Sequence, residues 1–236
     1  MKAKHKVVSH DKWLKQRETF LKKEKKFTHM RDELSKQRRN LPWEKVEKEY
    51  VFEGPNGQET LAELFDGRGQ LLVYHFMFAP DWEAGCKGCS LLADAFERDI
   101  VHLNQRDVTM VAASRAPLEK LEAFKRRMGW TFKWVSSGEG DFNYDYFVSF
   151  RTEQKKKKVF YNYKWGKREA EDLPGLSAFY MNEKGEIFHT YSAYERGLDA
   201  PISMYQFLDL APKGRDEAKI KPHPMAWVKH RDRYGT

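Results

Sequence analysis

Gln70-Leu71-Leu72-Val73-Tyr74-His75-Phe76-Met77-Phe78, continued by Ala79-Pro80-Asp81-Trp82-Glu83-Ala84-Gly85 and then Cys86-Lys87-Gly88-Cys89, places most of the remaining chain. Gln70 to Phe78 is a nearly continuous apolar, β-branched and aromatic run, the pattern of a central strand covered on both faces. Beyond the cysteines, Leu91, Leu92, Ala95, Phe96, Ile100 and Leu103 follow helical spacing, and Val108 to Ala113 returns as a second buried strand. Strand, helix and strand make a βαβ unit with a right-handed crossover, and both cysteines fall where the first strand gives way to the helix.

That position has chemical consequences. A thiol at a helix N-terminus lies near unpaired N–H groups and the positive end of the helix dipole, which favour thiolate and lower its pKa below the free value of about 8.5. Lys87 adds a cation. A second thiol three residues on can reach the first through the opening turn, so Cys86 is the candidate nucleophile and Cys89 the candidate resolving thiol. The bland alternative is a pair of small inert hydrophobes. A zinc site would need two more ligands, drawn from His75, His102, His189 or an acid, and the sequence does not bring these together; no metal and no cofactor is called for.

Outward from this unit, Tyr50-Val51-Phe52 reads as a strand, Gly54-Pro55-Asn56-Gly57 as a turn, and Thr60-Leu61-Ala62-Glu63 as a capping box opening a short helix. Pro117 begins a helix whose Leu118, Leu121, Phe124 and Met128 share one face, with Gly129 ending it. Leu176 to Met181, the turn Asn182-Glu183-Lys184-Gly185 and Glu186 to Tyr191 read as a β-hairpin. Pro201 to Leu210 reads as a final helix. Asp141 to Tyr163 mixes Phe and Tyr with the run Lys155 to Lys158 and yields no single assignment. Near the N-terminus Trp13, Phe20, Phe27 and Leu34 recur every seven residues, an apolar stripe on a long helix that Ser9 or Asp11 can cap and Asn40-Leu41-Pro42 ends. Docking of that stripe on its own domain is the favoured reading, and a homodimer through it the alternative.

Leu173-Pro174-Gly175 directly precedes the hairpin, and here the chain resembles the thioredoxin superfamily, in which a cis-proline opens the strand after the central helices and faces the CxxC. The resemblance implies that Pro174 is cis, lies beside the cysteines and shapes the substrate-facing groove. A closer likeness is to a mainly bacterial, uncharacterised thioredoxin-like family catalogued as domain of unknown function 899. It rests on Leu41-Pro42-Trp43, Tyr74 to Phe78, Pro80-Asp81-Trp82, Gly85-Cys86, Cys89-Ser90, Ser114 to Pro117, Met128-Gly129-Trp130, Asp141 to Asp145, Leu173 to Ser177, His189-Thr190-Tyr191 and His230 to Tyr234. It implies a thioredoxin-like fold and suggests redox chemistry. Thioredoxins place an aromatic just before the first cysteine, where this chain has Gly85, with Trp82 upstream. Peroxiredoxins carry Thr or Ser three residues before the peroxidatic cysteine and an Arg near the position of Pro174; here Glu83 stands in the first place and no obvious Arg in the second, which makes a peroxidase the weaker alternative.

Thioredoxins also carry a buried acid in the strand leading to the CxxC, and His75 is the polar residue of this strand; it is the candidate proton acceptor, set against a core histidine satisfied by backbone. Trp82 is a candidate wall for the thiol, and Arg115 a candidate for the C-terminal edge of the sheet, with a salt bridge as its commoner role.

Composition sets the limits. The 236 residues are 40 % hydrophobic and 14 % aromatic, enough for a substantial core, and the longest apolar run is too short for a membrane helix. The N-terminus lacks the apolar run of a secretory signal, and two cysteines cannot make a disulfide framework, so the expected compartment is the cytoplasm. Net charge +8 raises nucleic acid as a partner, but Lys12 to Arg39 interleaves bases with acids and the lysine run reads as a loop, so a solvated surface is favoured. The expectation is therefore an α/β thioredoxin-like fold: an N-terminal helical extension over 1–42, a domain with a central mixed sheet flanked by helices over 43–210, and an extended tail over 211–236 packing on the domain. The expected function is thiol–disulfide oxidoreduction with a protein or small-thiol partner and no membrane. A non-enzymatic interaction module on the same fold is the competing class.

Overall fold

The computed structural model describes residues 5–235, which separate into a first unit ending at Pro42 and a second beginning at Trp43. The first unit is dominated by one helix, α1 (His10–Arg39), 30 residues long. Ser9 holds the extended N-cap conformation and its carbonyl accepts the first helical hydrogen bond, although its side chain makes no capping bond. Trp13, Phe20, Phe27 and Leu34 are all exposed, and no residue of α1 is buried.

The second unit is built on an eight-stranded mixed sheet. Its strands are β1 (Glu44–Lys45), β2 (Val51–Gly54), β3 (Gly57–Thr60), β4 (Gln70–His75), β5 (Val108–Ser114) and β6 (Lys133–Ser136). After β7 (Val159–Tyr161) and β8 (Lys164–Gly166), which pair only with each other, β9 (Gly175–Met181) and β10 (Ile187–Tyr194) complete it, in the order β1-β10-β9-β4-β5-β6-β2-β3. β4 lies parallel to β5 with Val73 opposite Val111, β9 runs antiparallel to β4 with Ser177 opposite Val73, and β10 returns antiparallel to β9. A parallel βαβ unit flanked by an antiparallel hairpin is the thioredoxin fold. The crossover from β4 to β5 carries α2 (Lys87–Phe96) and α3 (Ile100–Asn104), and that from β5 to β6 carries α4 (Leu118–Met128), closed by Gly129 at φ 63°. Short helices α5 (Phe142–Asp145) and α6 (Thr152–Lys155) follow β6, and α7 (Ser203–Leu210) follows the hairpin.

Side chains alternate across the sheet, so β4 serves two cores. Tyr74 joins Phe76, Cys89, Leu92, Phe96 and Trp134 on one face, whereas Leu71 and Val73 join Phe52, Leu64, Val111 and Phe142 on the other.

Two local readings are amended, and one strand is new. Thr60 and Glu63 do form the reciprocal pair, the Glu63 carboxylate accepting from the Thr60 N–H at 2.6 Å, but Gly57–Thr60 is itself a strand, so the turn closes a hairpin before a single 3₁₀ turn. The helix expected through Leu103 breaks at Glu97–Asp99. There the Glu97 carboxylate leaves the helix to accept from the Thr131 N–H and hydroxyl, tying α2 to the strand-leading loop. β6 has no counterpart in the sequence reading; its four residues are too short to show a period beside the aromatics Trp130 and Phe132.

Candidate active site

Cys86 sits at the N-cap of α2, its backbone N–H donating to Met77 O at 3.0 Å and its carbonyl accepting from the Ser90 N–H and hydroxyl, both at 2.9 Å. The loop that leaves β4 is therefore pinned back onto the continuation of the strand. Gly85 is required there by space: a Cβ would stand 2.6 Å from the Phe76 ring, which explains a glycine where thioredoxins carry an aromatic.

Both cysteines are free thiols, Cys86 half-buried and Cys89 fully buried. The Cys86 thiol is pulled down to about 7, chiefly by the hydrogen bond from the Cys89 thiol, with the N–H groups of Cys89 and Gly88 and the Lys87 charge adding to it and burial opposing it. Cys89 is pushed well above the ordinary thiol range, first by burial and then by its neighbour. The sulfur of Cys89 accepts from the Met77 N–H at 3.4 Å and from the Tyr74 hydroxyl, which hold it down against that burial. One thiol is thus poised to ionise near neutrality and the other to stay protonated.

A cavity of about 410 Å³ opens over the pair, lined by Tyr74, Cys86, Lys87, Cys89 and Leu92 below and by Pro174, Ile202, Met225, Ala226 and Val228 around it. Pro174 therefore shares the cavity with both cysteines. Its peptide bond is trans, however; among the described residues the cis bond is Lys221–Pro222, so the expected cis geometry at Pro174 is corrected. Residues 171–173 run as an extended strip against 148–150, with Leu173 N–H donating to Val148 O and Phe150 N–H to Glu171 O. The strip continues into β9 through a trans bond, and Pro174 O accepts from the Tyr161 hydroxyl at 2.8 Å.

His75 and Arg115 do not reach the thiols. His75, one residue beyond Tyr74, faces the opposite core, with Nδ1 on Asn143 Oδ1 at 3.2 Å and Nε2 on Ser177 Oγ at 2.9 Å, stacked against Phe142. Burial depresses its pKa to about 4, so it is a neutral core imidazole and not the proton acceptor expected for the resolving thiol. Arg115 grips Asp172 through Nε at 2.8 Å and Nη2 at 3.2 Å, the salt-bridge reading. Trp82 is half-buried against the core that holds Cys89, yet it is not among the cavity-lining residues.

Sequence reasoning missed Tyr74, and it expected the tail to pack on the domain without placing it at the site. Parity alone would have found Tyr74, since one strand face holds either 74 or 75 beside the cysteines. The tail residue His230, buried, donates from Nε2 to Gly85 O at 2.8 Å, its Nδ1 taking a hydrogen bond from Arg127. His230 lies 145 residues from Gly85, beyond any local pattern. Among the described residues no cluster of His, Cys, Asp and Glu could hold a metal ion, and no helix is long and apolar enough to cross a membrane.

The fold and site thus define a thioredoxin-fold protein with a vicinal dithiol at a helix N-terminus. The chain belongs to the family described as "Bacterial protein of unknown function (DUF899)", which it matches over residues 2–234. No protein of curated function matches its sequence. Solved structures resemble it at low identity. Peroxidoxin BcpB from Mycobacterium tuberculosis is 13 % identical with a TM-score of 0.46, over 68 % of this chain and 93 % of that one. A peroxiredoxin Q structure from Xanthomonas campestris is 14 % identical with a TM-score of 0.44, over 65 % and 87 %.

Proposed function

We propose that the protein is a thiol–disulfide oxidoreductase in which Cys86 attacks a substrate disulfide and Cys89 resolves the mixed disulfide. The reading rests on one observation above the others: the more exposed thiol, at the helix N-terminus, is the one held near pKa 7, and it faces a cavity. Tyr74, donating to the Cys89 sulfur, stabilises the thiolate that Cys89 must become in the second step. Lys87 tunes the first thiol and Pro174 walls the cavity. The proposed partners are a protein or small thiol, and the proposed compartment is the cytoplasm, where thiols are kept reduced.

The test is alkylation of Cys86 as a function of pH, together with the midpoint potential of the pair. Because the thiolate is the reacting species, the rate should rise through half-maximum near pH 7 and level off above it. An ordinary thiol pKa with no reversible Cys86–Cys89 disulfide would instead favour a non-enzymatic interaction module. One observation keeps that second reading in view: the exposed aromatic stripe of α1, from Trp13 through Phe20 and Phe27, is the kind of surface that associates with a partner or a second copy. Peroxidase chemistry is less supported, since Glu83 occupies the Thr/Ser place and Arg115 is committed to Asp172.

A further inference from the structure

We propose that the substrate of the Cys86 cavity is a low-molecular-weight disulfide carrying a negative charge, rather than a disulfide of a folded protein; this rests on the dithiol reading above. Three independent features carry it. First, the C-terminal segment roofs the thiol: His223, Met225, Ala226 and Val228 line the cavity opposite Cys86, and Met225 Cε is only 3.4 Å from the place of a Cβ on Gly88. The roof is fastened beyond the cavity, by His230 on Gly85 and by the paired contacts of Arg127 with Asp232 at 2.8 and 3.0 Å. A volume of about 410 Å³ suits a small organic molecule, not the segment of chain that flanks a protein disulfide.

Second, an extended peptide would find backbone groups on either side of the Leu173–Pro174 bond already paired. Strand addition needs unpaired edge groups. Here the Leu173 N–H is spent on Val148 O and the Pro174 carbonyl on the Tyr161 hydroxyl.

Third, the cavity's charges do not cancel. Glu195 is paired with Arg168 at 2.8 Å, and Asp199 with Arg215 at 2.7 Å. Lys87, one residue from the nucleophile, makes no ion pair or side-chain hydrogen bond among the described residues. An unpaired ammonium on an exposed residue that lines the cavity attracts an anion approaching Cys86.

The reaction balances without any further reactant. The Cys86 thiolate attacks one sulfur of R–S–S–R, the S–S bond breaks, and RS⁻ leaves and takes a proton from solvent. Cys89, its proton lost to solvent, attacks the Cys86 sulfur and expels the second RS⁻, which is protonated in turn. The dithiol loses two electrons to become a disulfide, and the substrate gains them as two thiols.

Full-length, fully reduced protein is mixed with oxidised glutathione, with cystamine or with insulin, quenched with alkylating agent, and assayed by mass spectrometry for the Cys86–Cys89 disulfide. Oxidised glutathione should oxidise the pair about tenfold or more faster than the cationic cystamine, and about a hundredfold faster than insulin per disulfide. Lys87→Glu should reverse the order of the two small disulfides, and Met225→Trp, which fills the cavity, should slow both. Insulin reacting as fast as oxidised glutathione, or an unchanged order in Lys87→Glu, overturns this inference while leaving the dithiol chemistry intact. Failure of all three disulfides to react overturns the proposed function and this inference together.

Discussion

The two faces of β4 make the instructive comparison. Tyr74 and His75 are adjacent, equally buried and both polar at the tip, yet they belong to different chemistries. The Tyr74 face is apolar and aromatic, and the Tyr74 hydroxyl is aimed at Cys89. The His75 face holds a closed hydrogen-bonded chain, from Asn143 through His75 to Ser177, Ser192 and His189. One face keeps a thiol pair facing a cavity; the other satisfies its buried polar groups internally and so specifies packing. Burial alone does not make a residue functional. What it is aimed at does.

The sharpest way to break this comparison is at the thiols themselves. Cys86→Ser should lower disulfide reduction about a thousandfold or more, as expected when a nucleophile is removed. Cys89→Ser should leave the first attack possible and trap mixed disulfides on Cys86, seen as added mass on that residue. Equal trapping by the two variants would remove the assigned roles.

On the opposite face the expected effect is on stability. His75 is depressed from 6.5 to about 4 in the fold, so the folded protein binds fewer protons there than the unfolded chain. Its contribution is complete above pH 6.5 and is lost as pH falls toward 4, on the order of 3 kcal/mol in all. Urea unfolding across this range should show a steeper loss of stability on acidification in the wild type than in His75→Gln, where the shifted His189 and the paired carboxylates leave a smaller slope. If His75→Gln instead shifts the pH profile of Cys86 alkylation, the two faces are not separate.

Smaller effects sharpen the assignment. Tyr74→Phe removes the hydroxyl that donates to Cys89, so resolution should slow about tenfold, the worth of one hydrogen bond, and slow more than the first attack. Rapid-quench measurement of the two steps decides it. The smallest change is expected from Pro174→Ala: with a trans bond already in place, the loss should be about 0.5–1 kcal/mol through greater freedom of the unfolded chain, read by urea unfolding. A loss several times larger would mean that the proline ring itself holds the cavity wall.

Periodicity made much of this architecture legible. The continuous apolar run to Phe78, the helical spacing after Cys89 and the turn at Asn182-Glu183-Lys184-Gly185 each fix local geometry by short-range chemistry, and together they specify the βαβ unit and the hairpin. The same local reasoning places Cys86 at a helix N-terminus and so anticipates its lowered pKa.

Tertiary structure alone decided which neighbours those elements acquire. Strand parity sent His75 away from the thiols and Tyr74 toward them, a choice made by which core each face meets. Pro174 follows, through a trans bond, a strip paired with 148–150, and the anchoring of His230 to Gly85 across 145 residues placed the tail over Cys86. Spacing along a chain fixes what residues three or four apart can do together. Contacts between distant segments depend on how whole elements pack, and no local pattern encodes them.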